Sequence, residues 1–240
     1  MLPLPNIIQF PRTMIHIHRD FDMLLGGGLQ PRGITHIYGS PGSGKTNIAL
    51  MATVHAANDG KVVYIDAEGG FSVERLRQIA GEKADEVLRD MILIEPTDFD
   101  EQKVAINKLN EIVPSCGASL VVVDSIAVLY RLEEDKDVKE FGRQLAKLLR
   151  IARKYNVPVL ITNQIYTDID TGKMVPVGGD IIRYWAKISV ELEKREGMSV
   201  AVLRKHKFLP ENLRMEFRIT EKGMETIRTE IPDSERAGSV

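Results

Sequence analysis

The chain has 240 residues, of which 43% are hydrophobic and 28% charged, and its formal net charge at pH 7 is −2. This balance is typical of a globular domain with one large core, and it gives no general attraction to nucleic acid or to an anionic membrane. A single cysteine, Cys116, excludes an intrachain disulfide and a zinc site built from several cysteines, and it favours a reducing, cytoplasmic location.

Three parts of the chain differ in composition. Residues 1–30 are predicted to form an N-terminal segment, residues 31–228 a core domain, and residues 229–240 a disordered tail. The opening stretch contains prolines and no sustained apolar run, and no later stretch approaches the length of a membrane helix. We therefore expect neither a signal peptide nor contact with a membrane.

A complete G-x-x-x-x-G-K-T loop follows a predicted strand at residues 34–38 and precedes a predicted helix at residues 47–58. Glycines allow such a loop to point its N–H groups at phosphate oxygens, and the helix N-terminus adds partial positive charge. Lys45 is predicted to reach the β- and γ-phosphates of ATP, and the hydroxyl of Thr46 to ligate Mg²⁺. A chance match is the alternative, but the strand and the helix lie where a phosphate-binding loop requires them. The predicted nucleotide-binding residues of the loop are Gly39, Ser40, Pro41, Gly42, Ser43, Gly44, Lys45 and Thr46.

Strands and helices are predicted to alternate through the rest of the core, which indicates an α/β fold with a mostly parallel twisted sheet and helices on both faces. The unbroken apolar run at residues 120–124 is typical of a strand covered on both sides. Beyond about residue 187, β-rich segments follow one another, so we expect a C-terminal antiparallel extension. The predicted strands after the loop are 61–66, 91–94, 120–124, 157–163, 188–192, 199–203, 215–220 and 224–227; one predicted helix begins after the cap Ser72, one spans 100–112, and one carries apolar positions from Phe141 to Tyr155.

Polar side chains end three of the predicted parallel strands, where ligands bind in sheets of this kind. Asp124 follows the apolar run, at the position of an acidic residue that holds Mg²⁺, usually through water. Glu68 follows strand 61–66, where a carboxylate can polarise the water that attacks the γ-phosphate; a solvated loop carboxylate is the ordinary alternative. Gln164 ends strand 157–163, and its amide either senses the γ-phosphate or is an ordinary strand ending.

The segments GGGL, GSPGSGKT, YIDAEGGFSVERL, LVVVDS and ITNQ, in this order, resemble the RecA-like recombinase ATPases. The stretch LPE at 209–211, followed by FRITEKG at 217–223, resembles the archaeal branch of that family. The resemblance covers about residues 20–228. Within the archaeal branch the chain is most similar to a short paralogue of the main recombinase, because fewer than 40 residues precede the loop where the main recombinase has a helical DNA-binding domain.

This resemblance implies a RecA-like P-loop NTPase core that uses ATP and Mg²⁺. It implies that Glu68 is the catalytic carboxylate, that Lys45 assists at the phosphates, and that Gln164 is the nucleotide sensor. It also implies that Arg75 lies near the adenine, and that DNA and the main recombinase are partners.

Two features depart from a recombinase that forms filaments. Such proteins give their neighbour a Phe-x-x-Ala hook, and none of the seven phenylalanines here is followed by alanine three residues later. The first predicted DNA-binding loop, 131–140, contains three basic and five acidic residues, and the second, 166–183, contains two and three. Net acidic loops neutralise few phosphates, so DNA binding is expected to be weak and strongly salt-dependent, even though Tyr166, Tyr184 and Trp185 are able to stack on bases.

One basic run, Arg204-Lys205-His206-Lys207, follows a predicted strand. The spacing of Lys205 and Lys207 resembles the lysine pair that bacterial RecA inserts into the ATP site of its neighbour. We therefore expect these lysines to contact either the γ-phosphate of a neighbouring copy or DNA. A solvated surface run is the alternative.

The sequence thus predicts a slow accessory ATPase of homologous recombination and DNA repair, which changes state with bound nucleotide and is able to form a homodimer. Whether DNA stimulates its turnover is left open. One alternative is a DNA-dependent strand-exchange recombinase whose filament uses another interface. A second is a nucleotide-gated adaptor with negligible turnover, which the predicted base Glu68 disfavours. A more distant clock-type or helicase-type ATPase is a third.

Overall fold

A computed structural model describes residues 14–135, 137–167 and 174–231. The described strands are β1 Ile34–Gly39, β2 Val62–Asp66, β3 Met91–Ile94, β4 Leu120–Asp124, β5 Val159–Thr167, β6 Met174–Pro176, β7 Ile188–Arg195, β8 Met198–Lys205, β9 Arg214–Thr220 and β10 Gly223–Thr229. The described helices are α1 Arg19–Leu24, α2 Lys45–Ala56, α3 Val73–Ala80, α4 Ala84–Arg89, α5 Phe99–Cys116, α6 Val128–Leu132, α7 Val138–Tyr155 and α8 Gly179–Trp185, with a 3₁₀ turn at Gly81–Lys83.

The central sheet has the strand order β10-β9-β8-β7-β1-β5-β4-β2-β3, and β6 pairs with β5 outside this path. The strands from β3 to β7 along this order are parallel, whereas β8, β9 and β10 are antiparallel. This confirms the predicted α/β fold, with its parallel core and C-terminal antiparallel extension.

Two apolar cores cover the two faces of the sheet. Alternation along β1 turns Ile37 toward the core that contains α2, and Ile34 toward the core that contains α5 and α7. Residues of β4 contribute to both cores and are fully buried, as the unbroken apolar run predicts. Because both faces are covered, functional groups are displayed at the carboxyl edge of the parallel strands.

Helix α5 differs from the prediction at its C-terminal end. We expected a helix over 100–112, but the helix begins at Phe99 and continues through Pro114 to Cys116. Gly117 then ends it in the left-handed conformation, with φ of 66°. The predicted helix was therefore four residues too short at its C-terminal end.

The first predicted DNA-binding loop is shorter than expected, because α6 and α7 take both of its ends and leave residues 133–137 between them. In the second predicted loop, Asp168, Asp170 and Lys173 lie outside the described residues, while Gly179–Trp185 form α8. Residues 1–13 of the N-terminal segment and 232–240 of the predicted tail are also outside them. No helix within the described ranges is long and apolar enough to cross a bilayer.

Candidate nucleotide-binding site

The phosphate-binding loop lies between the end of β1 and the start of α2, as the motif requires. Gly42 and Gly44 have φ of 69° and 104°, a conformation that disfavours any residue with a Cβ atom. A Cβ atom on Gly39 would lie 2.2 Å from the carbonyl oxygen of Leu192 in β7. Glycine at the first position is therefore required by the packing of the loop against β7.

The ammonium of Lys45 lies within the curve of the loop. Its Nζ donates hydrogen bonds to the carbonyl oxygens of Gly39 and Ser40, each at 3.0 Å, and the residue is 7% exposed. Burial lowers the pKa of Lys45, and the nearby carboxylates of Glu68 and Asp124 partly offset this. The cation is thus held at the opening of the loop, where phosphate oxygens are able to replace the carbonyl acceptors.

Asp124 at the end of β4 is buried and held by two hydroxyl donors. Tyr64 Oη donates to its Oδ2 at 2.8 Å, and Thr162 Oγ1 donates to its Oδ1. Burial, together with the carboxylate of Asp124, raises the pKa of Tyr64 well above its ordinary value, so the phenol stays a donor. Sequence reasoning missed both donors, although Thr162 stands two residues before Gln164 on the strand that pairs with β4.

Glu68 and Gln164 meet across the carboxyl edge of the sheet, although 96 residues separate them. Gln164 Nε2 donates to Glu68 Oε1 at 2.6 Å. The backbone N–H groups of Ala67 and Glu68 donate to the carbonyl oxygen of Asp124, at 2.8 and 3.3 Å. The structure therefore places the predicted base, the predicted sensor and the predicted magnesium residue side by side.

Arg75 joins three elements around α2. Its Nε donates to Asn47 Oδ1 at 3.0 Å, and its terminal nitrogens donate to the carbonyl oxygens of Thr220 and Glu221 at 2.6 and 3.1 Å. Burial lowers the pKa of Arg75. The guanidinium thus ties the phosphate-loop helix to the turn between β9 and β10, a role that sequence reasoning did not predict.

Lys205 and Lys207 lie far from their own phosphate loop. Lys205 pairs with Ser189 of β7, and Ser189 pairs with His36 in the amino-terminal half of β1. The phosphate loop begins at the carboxyl end of β1. Four strand residues of about 3.3 Å each make this separation roughly 13 Å. Lys205 Nζ donates to the carbonyl oxygens of Arg183 and Ala186, and Lys207 Nζ donates to Gln30 Oε1 at 3.2 Å. The structure does not bring these lysines to the site that contains Lys45.

The oxygen atoms of three side chains in the site are suited to binding ATP with Mg²⁺. Ser43 Oγ is fully buried beneath the loop and has no hydrogen-bond partner among the described residues. The hydroxyl of Thr46 and the carboxylate of Asp124 are the hard oxygen ligands that Mg²⁺ prefers. Within the described ranges, no group of three or more His, Cys, Asp or Glu side chains is arranged to hold a metal ion. Magnesium at this site would therefore need phosphate oxygens and waters as further ligands, which is its usual manner of binding beside a nucleotide.

Known proteins are similar to this chain in both sequence and fold. The sequence profile of the Rad51 family matches residues 12–227. The DNA repair and recombination protein RadB of Methanothermobacter thermautotrophicus is 45% identical over 214 residues, which cover 85% of this chain and 92% of the relative. RadB of Thermococcus kodakarensis is 44% identical over 216 residues, 87% of this chain and 97% of the relative. A solved structure described as the RadB recombinase matches with a TM-score of 0.80 and 43% identity, covering 90% of this chain and all of that one.

Proposed function

The chain belongs to the Rad51 family, and we propose that it is a RadB-like accessory ATPase of homologous recombination and DNA repair. In this proposal it binds ATP with Mg²⁺ in the cytoplasm, hydrolyses ATP slowly, and modulates the main, RadA-like recombinase or binds DNA. The observation that carries the proposal is the arrangement of Lys45, Asp124, Glu68 and Gln164 at one edge of the sheet. The RadB relatives are named DNA repair and recombination proteins, which supports a role in these processes.

Nucleotide binding in this proposal depends on the loop 39–46. Its backbone N–H groups and the start of α2 hold the phosphates, and Lys45 exchanges its carbonyl acceptors for phosphate oxygens. Mg²⁺, when bound, neutralises charge on the β- and γ-phosphates. Thr46 would ligate the metal, and Asp124 would hold it through water.

The two hydroxyl groups that donate hydrogen bonds to Asp124 fix the orientation of its carboxylate. Each donor, from Tyr64 and from Thr162, satisfies one oxygen, so the carboxylate does not need to rotate when the site fills. Preorganised groups of this kind contribute to catalysis because they need no rearrangement during the reaction.

Glu68 is the residue that we assign to the attacking water. Its carboxylate accepts a hydrogen bond from that water and takes up its proton as the bond from the water oxygen to the γ-phosphorus forms. The bond between the γ-phosphorus and the bridging oxygen breaks, and ADP leaves with that oxygen. Gln164 donates to the same carboxylate, and it ends the strand that leads into the second predicted DNA-binding loop. In this proposal, loss of the γ-phosphate changes the contacts of Gln164 and thereby moves this loop, which is a nucleotide-dependent switch.

Arg75 is proposed to lie beside the adenine. Its N–H groups are already engaged by Asn47 and by the β9–β10 turn, so only the flat face of the guanidinium is free to contact a base. It would position the adenine by stacking while it keeps α2 attached to the C-terminal hairpin.

An accessory role is favoured over strand exchange by what the chain lacks. None of its phenylalanines forms the Phe-x-x-Ala hook, and both predicted DNA-binding loops are net acidic. Between α6 and α7 the described residues are 133–135 and 137, and all four of their side chains are acidic. Such loops neutralise few phosphates, so DNA affinity would be weak and salt-dependent.

Lys205 and Lys207 are proposed to contact a neighbouring nucleotide or DNA. Burial lowers the pKa of both, and nearby cations lower it further: Lys187 acts on both lysines, with Arg183 acting on Lys205 and Arg153 on Lys207. A cluster of like charges at the edge opposite the phosphate loop favours an anion brought by a second molecule. In the double variant Lys205→Ala/Lys207→Ala, we expect DNA affinity or the protein-concentration dependence of ATP turnover to fall. Unchanged values of both would leave only a solvated basic run.

The accessory role is tested by adding this chain to the main recombinase of the same organism. We expect it to change the rate of strand exchange in ATP but not in ADP, and to show no strand exchange when it acts alone. The control is Asp85→Ala, which breaks only an exposed ion pair with Arg77. Strand exchange by this chain alone would instead support the recombinase alternative.

A further inference from the structure

A separate cavity of about 540 Å³ opens on the face of the sheet opposite α2. Its floor is formed by β1 and β7, and its walls by the β5–β6 hairpin, α8 and the end of β8. Its volume lies within the range of small-molecule sites. None of the residues that line it belongs to the phosphate-binding loop.

The floor of this cavity contains two buried polar groups without partners. His36 and Ser189 are paired neighbours on β1 and β7, and they are 2% and 4% exposed. His36 Nε2 and Ser189 Oγ have no hydrogen-bond partner among the described residues. Because an unsatisfied buried polar group costs free energy, such a pair at the floor of a cavity indicates a ligand or ordered water that completes it.

His36 meets any such ligand as a neutral ring. Complete burial lowers its pKa to about 3, so at neutral pH one ring nitrogen donates a hydrogen bond and the other accepts one. The hydroxyl of Ser189 also donates and accepts. The floor therefore matches a flat polar edge that carries both donors and acceptors, and it does not match a bare phosphate.

Aromatic and cationic side chains surround this floor. The ring of Tyr38 stacks on His36 with centroids 4.8 Å apart, and the ring of Tyr166 lines the wall with 42% of the residue exposed. At the opening lies Arg183, whose guanidinium has no hydrogen-bond partner within the described ranges. Lys205 stands beside it, held by the carbonyl oxygens of α8. The carboxylates of Asp180 and Glu211 also line the cavity. Arg183 forms no ion pair within the described residues, whereas Arg204 is paired with Glu191, so Arg183 is the guanidinium open to an anionic ligand.

We propose that this cavity is a second nucleotide site, which takes one nucleobase and its 5′-phosphate. The donor and acceptor edge of the base meets His36 and Ser189, the ring of Tyr166 stacks on the base, and Arg183 binds the phosphate. The nucleotide is either a free monophosphate or the 5′-terminal nucleotide of a DNA strand. The DNA source rests on the proposed function in recombination, whereas the free-nucleotide source does not.

The experiment is calorimetric titration of the chain with its phosphate loop saturated by ADP and Mg²⁺. The probes are the four deoxynucleoside 5′-monophosphates, and four-nucleotide oligo-dT with and without a 5′-phosphate. We expect one binding site per chain. Its affinity for the nucleotide should fall about tenfold in Ser189→Ala and in Arg183→Gln, since each substitution removes one hydrogen-bonding group. The matched control is Arg195→Gln, an exposed arginine paired with Glu193 outside the cavity. In ¹⁵N spectra, a bound base also shifts the ring-nitrogen signals of His36.

If the monophosphates bind, the ligand is a free nucleotide. If only the 5′-phosphorylated oligonucleotide binds, the ligand is the end of a DNA strand. If no probe binds, or if the affinity is the same in Ser189→Ala and Arg183→Gln as in the parent, ordered water satisfies the floor and the proposal is wrong. His36→Phe, which keeps the stack on Tyr38, gives a second variant should Ser189→Ala fail to fold. ATP turnover is measured in the same samples, so failure of the ATPase proposal is recognised independently.

Discussion

The buried imidazole of His36 makes a specific contribution to the pH dependence of stability. Its folded-state pKa is about 3 because burial penalises the charged ring, whereas its ordinary value is 6.5. At pH values below 6.5 the unfolded chain takes up a proton at this residue that the folded chain does not. Folding stability must therefore fall as the pH falls below 6.5, and the loss continues until the pH reaches the folded value.

The magnitude follows from the two pKa values. Between about pH 7.5 and about pH 5, His36 in the unfolded chain goes from almost neutral to almost fully charged, while the folded ring stays neutral. At about 1.4 kcal/mol per pH unit of linked protonation, this lowers the free energy of unfolding by about 2 kcal/mol. Phenylalanine at this position does not titrate, so in His36→Phe the free energy of unfolding should no longer fall by this amount between the two pH values.

The assay is urea denaturation at a series of pH values for the parent chain and for His36→Phe. Contributions from Asp22 and His55 are common to both proteins and cancel in the difference. Tyr38→Phe is the matched control, because burial raises the pKa of Tyr38 to about 12, outside the range of the experiment. If the free energy of unfolding depends on pH in the same way for the parent and for His36→Phe, His36 has the same pKa in the folded and unfolded chains and the prediction is wrong.

Two further predictions concern the nucleotide site. Arg75→Ala should lower the free energy of unfolding by about 2–3 kcal/mol in urea, because it breaks the charged hydrogen bonds that join α2 to the β9–β10 turn. The control Arg77→Ala breaks only an exposed ion pair with Asp85 and should cost less than about 0.5 kcal/mol; equal effects would contradict the role of Arg75. Thr162→Val should raise the Mg²⁺ concentration needed for half-maximal ATP turnover several-fold, because it removes the hydrogen bond to one oxygen of Asp124. Thr162→Ser keeps a hydroxyl donor and should need the same Mg²⁺ concentration as the parent. A Val variant that behaves like the parent would show that this hydroxyl does not orient the carboxylate.

Local patterns were sufficient to predict the fold. The strand at residues 91–94 and the strand at residues 120–124 have the predicted bounds, because short apolar runs between polar turns define them. The phosphate loop was equally clear, since its glycines and Lys45 are consecutive in the chain. Helix α8 and the short strand β6 were not predicted, because neither has the length or the periodicity that marks an element in a sequence.

Contacts across the sheet could not be predicted from local patterns. Tyr64 and Asp124 are 60 residues apart, and only the register between β2 and β4 brings them together. The clamp made by Arg75 depends in the same way on a turn 145 residues further along the chain. His36 reads as an ordinary strand residue until its neighbour Ser189 is known. The sequence therefore supplies the chemical groups, while their partners depend on topology.

We expect this chain to be a slow ATPase whose turnover requires Glu68 and does not depend on DNA. The most direct test is steady-state hydrolysis of ATP at low salt, with and without single-stranded DNA, for the parent chain and for Glu68→Gln. We expect slow turnover that DNA changes by less than about twofold. Glu68→Gln should lower this turnover by about 100-fold or more, the scale of a lost general base. Stimulation by DNA of about tenfold or more would contradict the accessory role, and full activity in Glu68→Gln would contradict the proposed chemistry.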